Sequence, residues 1–546
     1  MATLDYIVII TFLGGLFWLG SRLYSWIGNP DDFYVAGRQL TPFILAATLT
    51  TANISLFSLV GVSGTAYRSG ISIIWLTWTG NMALVFSGLF VIPLFRRLRI
   101  RTIPEFLEMR YNAAVRLLVG ILWVFRLAFW IAVVLYAGVA AAQQLTRIRS
   151  FSLWVFGLAA IVILYTMLGG MWSVVLTNNL GFLLMMGSLL IILPLAMAAA
   201  GWWPGLIAHL PQGHLDLITV TGKYNWKTVI AFLLLGIQWA TLDQGLLQAA
   251  FSARDPRAVS KGMVLSGLMI TPFALLWILP GLAARVIYPT LPRPEMAVPT
   301  LVVHLIPIGI LGCVTAGLLA SALSTLGSNL GAVATLVAND IYGRFVNQQA
   351  SPRQLLVAVR LAALFAGALM IAITYLVPHL GGAVDAYLVI ISIMDMPLFV
   401  IAIPYGLLWE KTTWQGAITG YLTGSLAGTI LRFGFHCDVA PVTLISGGVA
   451  ALICPAVSLL TQKAASRLRT HDLLVRTSCN AIQDSVQPVS GPSVWSKLGL
   501  WILGMGAVMF LAGLILVGLS IPKSTVVALT GMLLYFLGGG LRAKTV

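Results

Sequence analysis

TPFILAATLTTANISLFSLVGVSGTAYRSG, residues 41–70, is long enough to cross a bilayer and apolar enough to enter one. Its middle nevertheless carries Thr48, Thr50, Thr51, Asn53, Ser55 and Ser58, with Gly61 and Gly64 following. Polar side chains at that depth cost free energy unless they are paired inside a bundle. The stretch therefore predicts a break in the helix, where freed carbonyls and short hydroxyls hold an ion or a small polar solute. A transporter is the first reading of the chain.

Composition agrees. The 546 residues are 59% hydrophobic and 9% charged, with a mean hydropathy of +0.96. Soluble proteins are about 25% charged, so there are too few charges here to coat one large soluble core. The fold class is an all-α polytopic membrane protein. Cys313, Cys437, Cys454 and Cys479 show no metal or redox spacing and imply no disulfide framework. Residues 4–24 lack a small-residue cleavage site and read as a retained first transmembrane helix. No GxSxG, HExxH or GxxxxGK[ST] pattern is present, so neither catalysis nor pumping by ATP is expected within the chain. An ion gradient is the natural energy source.

Hydropathy predicts about fifteen spans, at 4–24, 41–68, 74–95, 116–143, 152–169, 173–198, 228–250, 262–285, 301–335, 355–377, 385–408, 413–431, 439–460, 497–518 and 524–541. Alternating the intervening segments places 22 basic residues on one side and nine on the other, with Arg126 left over inside the fourth span. The positive-inside rule then puts the N-terminus outside and the C-terminus in the cytosol, with a cytosolic loop at 461–496. The basic residues thus mark topology, and no nucleic acid is expected as a partner. The loop at 199–227 reads as a partly helical external cap whose His209 and His214 are surface residues without metal-ligand spacing.

Arg126 lies in ILWVFRLAFW, and a charge there needs a partner or a water-filled cavity. It pairs with Asp395 or Asp243 to lock the bundle, meets a substrate carboxylate, or snorkels. The ninth span, LLASALSTLGSNLGAVATLVANDIY (318–342), is the other polar one. Ser321, Ser324, Thr325 and Ser328 share a broad face at i, i+3, i+4 and i+7. Hard, uncharged oxygens suit an alkali cation that must arrive and leave each cycle. The competing reading is packing through small residues, with hydroxyls bonded to their own helix.

With these stretches in view the chain resembles the sodium/solute symporter family, which includes bacterial proline, sugar and sialic acid carriers and the mammalian sodium/glucose cotransporters. The resemblance rests on DDFYVAGRQLTP (31–42), SLVGVSGTAYRSG (58–70), RTIPEFLEMRYN (101–112), YTMLGGMWSVVLTN (165–178), TLDQGLLQAAFSARDP (241–256), PRPEMAVPTLVVHLIPIGILG (292–312), ALSTLGSNLGAVATLVANDIYGRF (322–345) and EKTTWQGAITGYLTG (410–424), in family order. It implies a 5+5 inverted-repeat core, 31–198 and 228–410, with a discontinuous first helix in each repeat. An extra N-terminal helix (1–30) and additional C-terminal helices (411–546) flank the core. It also implies a Na+ site built from carbonyls of Thr51, Ile54 and Ser321 with the hydroxyls of Ser324 and Thr325. The family's solute pocket falls on Asn53, Ser58, Thr77 and Trp239, and Gln238, Trp75 and Arg126 are candidate neighbours.

Two departures bear on mechanism. Family members often have Asp where this chain has Asn178, and the matching ligand on the ninth helix falls on Gly327. One coupling sodium is therefore expected instead of two. Many members also carry Gln-Arg where Gln248-Ala249 stands. The resemblance implies sodium-coupled symport of a small polar organic solute (a sugar, amino acid or carboxylate) by alternating access. Gly61, Gly64 and the Gly169-Gly170 turn are candidate flexible points, and Asp243 and Asp395 are structural or gating residues. Alternatives are a proton-coupled or uncoupled transporter of the same fold, or a membrane solute sensor. The expected location is the cell membrane, preferably a bacterial inner membrane, with no obligate protein partner.

Overall fold

Within a bilayer every backbone N–H and C=O needs a partner inside the protein, and a helix supplies it locally. The computed structural model describes residues 3–23, 39–98, 100, 102–146, 148–307, 309–380, 382–462 and 494–545, and they are helical nearly throughout. Among the described residues the strand-like pairings are two isolated bridges, Leu40 with Ala253 and Thr219 with Asn225.

The main helices are α1 (Thr3–Leu23), α2 (Pro42–Asn53), α3 (Ser63–Ser69), α4 (Ile74–Phe90), α5 (Ala113–Thr146) and α6 (Phe151–Ala199). There follow α7 (Trp226–Leu242), α8 (Gln244–Phe251), α9 (Pro256–Phe273), α10 (Leu275–Ile287), α11 (Ile310–Thr335) and α12 (Pro352–Thr374). The last are α13 (Ala383–Ile390), α14 (Met396–Ala402), α15 (Trp414–Thr429), α16 (Val439–Leu460), α17 (Val494–Gly518) and α18 (Ser524–Thr545).

Among the described residues nine helices are long and apolar enough to cross a membrane, or eleven when two bent pairs each count as one span. The spans expected at 4–24, 41–68, 152–169 and 413–431 fall on helices outside that set. The span expected at 301–335 is two elements. A short helix, Ala297–Leu305, ends before Pro307, and α11 starts only after Gly309, whose φ of 91° suits glycine. The carboxylate of Asp5, in the first turn of α1, accepts from the N–H groups of Gly309 (2.9 Å) and Gly312 (2.8 Å) and so caps α11 from another helix.

The long α6 is not one straight rod. Leu158 and Ala322 both close on Gly138, while Leu184 and Ser188 close on Gly317, only five residues from Ala322. A straight helix would separate Leu158 from Leu184 by about 39 Å. Those contacts forbid that distance, so α6 turns back and supplies two limbs.

Both helices that open the expected repeats are broken. Between α2 and α3 the chain leaves the helix at Ile54 and Ser55 and resumes through a π-helical turn, Phe57–Val62. Between α7 and α8 it bends by 45° at Asp243. The Leu40–Ala253 bridge ties the start of α2 to the end of α8. α2 packs on α9 and α6, α3 on α10, and α4 on α7, while α11 runs against α5, α6 and α1. The α17–α18 hairpin is held by close backbone approach at glycines such as Gly531 and docks on α4, α7 and α9.

Candidate functional site

The first break frees carbonyls. A helix leaves its last four C=O groups without intrahelical partners, and α2 ends where Ile54 turns to φ −87°, ψ 78°. Thr50 recovers a donor from Ile54 N–H. The carbonyl of Ile54 is met across the gap by Ser321 of α11, whose Oγ donates to it at 2.8 Å. Thr325, one turn further, donates to the Ser321 carbonyl at 3.2 Å. Thr51 is fully buried and turns its hydroxyl to the Ala47 carbonyl, 2.9 Å away. The structure thus brings Ile54, Ser321 and Thr325 together at the end of the half-helix that carries Thr51. The side chain of Ser324 lies outside the described residues, as do those of Gly169, Gly170, Thr177 and Asn178.

The second break carries charge. Asp243 caps α8 by accepting from Leu246 N–H (3.1 Å), and its other oxygen accepts from Arg126 (2.9 Å). Arg126 also grips Asp395, its Nε and a terminal nitrogen reaching the carboxylate at 2.8 and 2.5 Å. Arg126 is 2% exposed and Asp395 1%. Of the uses weighed for Arg126, the structure displays the bundle lock, and it engages both carboxylates at once. Gln238 is fully buried behind this cluster, toward Asp395.

A cavity of about 130 Å³ lies between the two breaks. Asn53, Ser58, Thr77, Trp239, Asp243 and Thr325 line it. Arg126, Gln238 and Trp75 do not. Trp75 is buried against Phe510 of α17 and donates its indole N–H to the Leu217 carbonyl (2.8 Å), so it serves packing of the 199–227 loop. Trp239 is half-buried and lies over Gly80.

Several cavity residues were not anticipated. Phe57, Trp130 and Tyr387 form an aromatic wall with ring centroids 4.6–5.2 Å apart. Asn81 adds an amide, as does Asn329, whose polarity already marked the ninth span. Asn81, an amide one turn from Thr77 in an otherwise largely apolar span, was a visible signal; the aromatic trio was not, because its members come from three distant segments.

Gly61 and Gly64 are closely packed. A Cβ on Gly64 would sit 2.6 Å from the Pro294 carbonyl oxygen, and one on Gly61 3.2 Å from Val384.

Charged latches stand at both ends. On one, Asp385 accepts from Lys223 (2.7 Å) and Arg68 (3.4 Å), joining the 199–227 loop, α3 and α13. On the arginine-rich end, fully buried Asp340 takes Arg116 (2.6 Å) and Thr102 (2.8 Å). Glu108 there bridges Arg116 and Arg344, each at 2.6 Å. Burial works to raise the Glu108 pKa, but its hydrogen bonds and charge pairing with the two arginines outweigh that and hold it below the usual range.

Known proteins place this arrangement. The model of the sodium:solute symporter family matches residues 33–424. A sodium/glucose cotransporter of Vibrio parahaemolyticus is 28% identical over 463 residues, covering 78% of this chain and 84% of its own length. YidK, an uncharacterized symporter of Escherichia coli K12, is 30% identical over 354 residues, 61% of each chain. The substrate-bound, outward-open structure of a Na+-coupled sialic acid symporter superposes with a TM-score of 0.76 at 20% identity, over 84% of this chain and 98% of that one. That likeness shows the fold. With the family pattern running through both broken helices and the helix that spans them, the chain belongs to the sodium:solute symporter family.

Proposed function

We propose that sodium binds at the first break and a small polar solute in the cavity beside it, and that the two cross the membrane together. The chain is a membrane transporter, not an enzyme, and its family couples solute movement to sodium. The observation that carries the site assignment is the 2.8 Å contact between Ser321 and the Ile54 carbonyl, where α11 closes on the freed end of α2. Na+ fits this donor set of carbonyls from Thr51, Ile54 and Ser321 with the Thr325 hydroxyl, all hard and uncharged. Ser324 joins it by resemblance.

The cavity's amides, hydroxyls and aromatic faces suit a solute with many hydroxyls. Relatives named for glucose and myo-inositol make sugars and polyols the first class to test. Asn53, Ser58 and Thr77 would hydrogen-bond it, with Trp239 as a stacking face. Sodium and solute share α2, so each raises the other's affinity by the same factor. One cation moving down about 100 mV contributes about 2.3 kcal/mol. The orientation is N-terminus outside and C-terminus cytosolic, in a plasma or bacterial inner membrane, with the 199–227 loop external.

The test is uptake into sealed proteoliposomes of labelled sugars, polyols, amino acids and carboxylates, under inward sodium, inward proton or no gradient. Sodium-driven uptake that collapses in Thr325→Ala supports both site and coupling. Uptake that ignores sodium and survives Thr325→Ala overturns the ion-site assignment and favours the proton-coupled or uncoupled alternative.

A further inference from the structure

The second break holds more negative charge than its partners neutralise. Asp243 and Asp395 carry two carboxylates, and among the described residues Arg126 is the one cation within ion-pair reach of them. The buried cluster therefore sums to one net negative charge, a costly state in a dry interior. Asp243 is its member that lines the cavity.

Asn329 points at the same place. It is 6% exposed, its Nδ2 donates to the Thr325 carbonyl at 2.9 Å, and its Oδ1 has no hydrogen-bond partner. The amide orientation follows from chemistry, since a carbonyl only accepts and the NH2 group must face Thr325. That leaves Oδ1 facing α8. A Cβ on Gly245 would lie 2.5 Å from Asn329 Oδ1 and 3.2 Å from Asp243 Oδ1. Two acceptors thus lie beside one glycine at the cavity wall: Asn329 Oδ1 has no partner, and Asp243 Oδ1, which accepts from Leu246 N–H, keeps a lone pair to offer. Such oxygens repel unless a cation sits between them.

We propose that this is a second monovalent cation site, taking sodium between the Asp243 carboxylate and the Asn329 amide oxygen, with its open side toward the cavity. It is separate from the site at the first break. It also uses neither Asn178 nor Gly327, the positions whose departures led to the expectation of a single sodium. The inference rests on the symport reading above and raises its stoichiometry from one sodium to two.

Equilibrium binding of 22Na+ to the purified full chain in nanodiscs tests it. Wild type should bind two sodium ions per chain, and Thr325→Ala should bind one. Asn329→Ala should also bind one, and so should Gly245→Ala, which keeps every charge but puts a methyl group between the oxygens. Asn329→Asp should retain two. A wild type that binds one sodium, with Asn329→Ala and Gly245→Ala unchanged, overturns the second site while leaving the first. A wild type that binds none overturns the symport reading itself. A second cation that responds to pH and not to sodium also overturns the proposal.

Discussion

Replacing Arg126 by methionine is the most informative perturbation of the buried cluster. Arg126 makes four hydrogen bonds to two carboxylates in a site where it is 2% exposed. Removing it leaves Asp243 and Asp395 facing each other with two uncompensated charges. Breaking one partner out of a buried pair costs about 3–5 kcal/mol. With an unfolding entropy of about 2.1 cal/mol/K per residue, that cost lowers the midpoint of this 546-residue chain by roughly 3–4 °C. The double variant Arg126→Met/Asp395→Asn returns the cluster to its original net charge and should recover most of the loss. Asp395→Asn alone leaves the Arg126–Asp243 pair intact and should cost less than Arg126→Met.

Thermal unfolding of the purified variants in one detergent measures that order directly. The reasoning is refuted if Arg126→Met unfolds with wild type while its KM rises selectively for carboxylate solutes. That outcome would mean the guanidinium leaves the two aspartates to hold the solute. Uptake should instead fall in Arg126→Met for every solute alike, because both carboxylates belong to helices that border the cavity.

Three further outcomes follow from single contacts. Gly64→Ala drives a methyl group onto the Pro294 carbonyl, an overpacking cost of about 1–3 kcal/mol visible in thermal unfolding; Gly331→Ala, which meets nothing within 4 Å, should unfold no earlier than wild type. Asp5→Ala removes the carboxylate from two N–H groups at the start of α11 and should cost about 1–2 kcal/mol, with sodium affinity falling as that helix frays. Glu108 titrates below its unfolded value of about 4.3, so its stabilisation is complete above that pH and is lost as pH falls through the lower folded value. The stability gap between wild type and Glu108→Gln, followed by unfolding midpoint against pH, should therefore close in acid.

The two polar helices were legible because polarity inside an apolar run has few uses. Thr51, Asn53 and Ser58 stood out by polarity and Ser321 and Thr325 by their shared helix face, while their roles as ion and solute ligands came from the family resemblance. The structure adds that they touch, through Ser321 and Ile54. Arg126 was legible as a charge in need of a partner, but its choice among Asp243, Asp395 and a solute depended on which helices adjoin α5. The aromatic wall was hidden for a similar reason: Phe57, Trp130 and Tyr387 are ordinary apolar-run residues until three helices bring their rings together. The break before α11 is a different case. Pro307 and Gly309 were in plain view, yet the apolar residues on both sides merged two elements into one expected span.

The placement of α11 explains how events at the two breaks become one event. Ser321, Thr325 and Asn329 recur every four residues and so lie on one face. Ser321 reaches the Ile54 carbonyl at the first break, Thr325 reaches back to Ser321, Asn329 donates to Thr325, and its remaining oxygen lies beside Gly245, next to Asp243 at the second. A straight helix resists local bending, so a shift at Ser321 is carried to Asn329 about 12 Å along its axis. The breaks themselves are soft, each with backbone groups outside a regular helix. On the proposed reading, ligand binding that closes either break acts on the same strip of α11, and the second break feels it through Asn329 beside Gly245. Cutting the strip in the middle should uncouple them. A Thr325→Gly chain would lose the hydroxyl and gain flexibility at that point, and its solute affinity should depend less on sodium than that of Thr325→Ala, which loses the hydroxyl alone. Equal sodium dependence in the two variants would show that the hydroxyl, and not the stiffness of α11, carries the coupling.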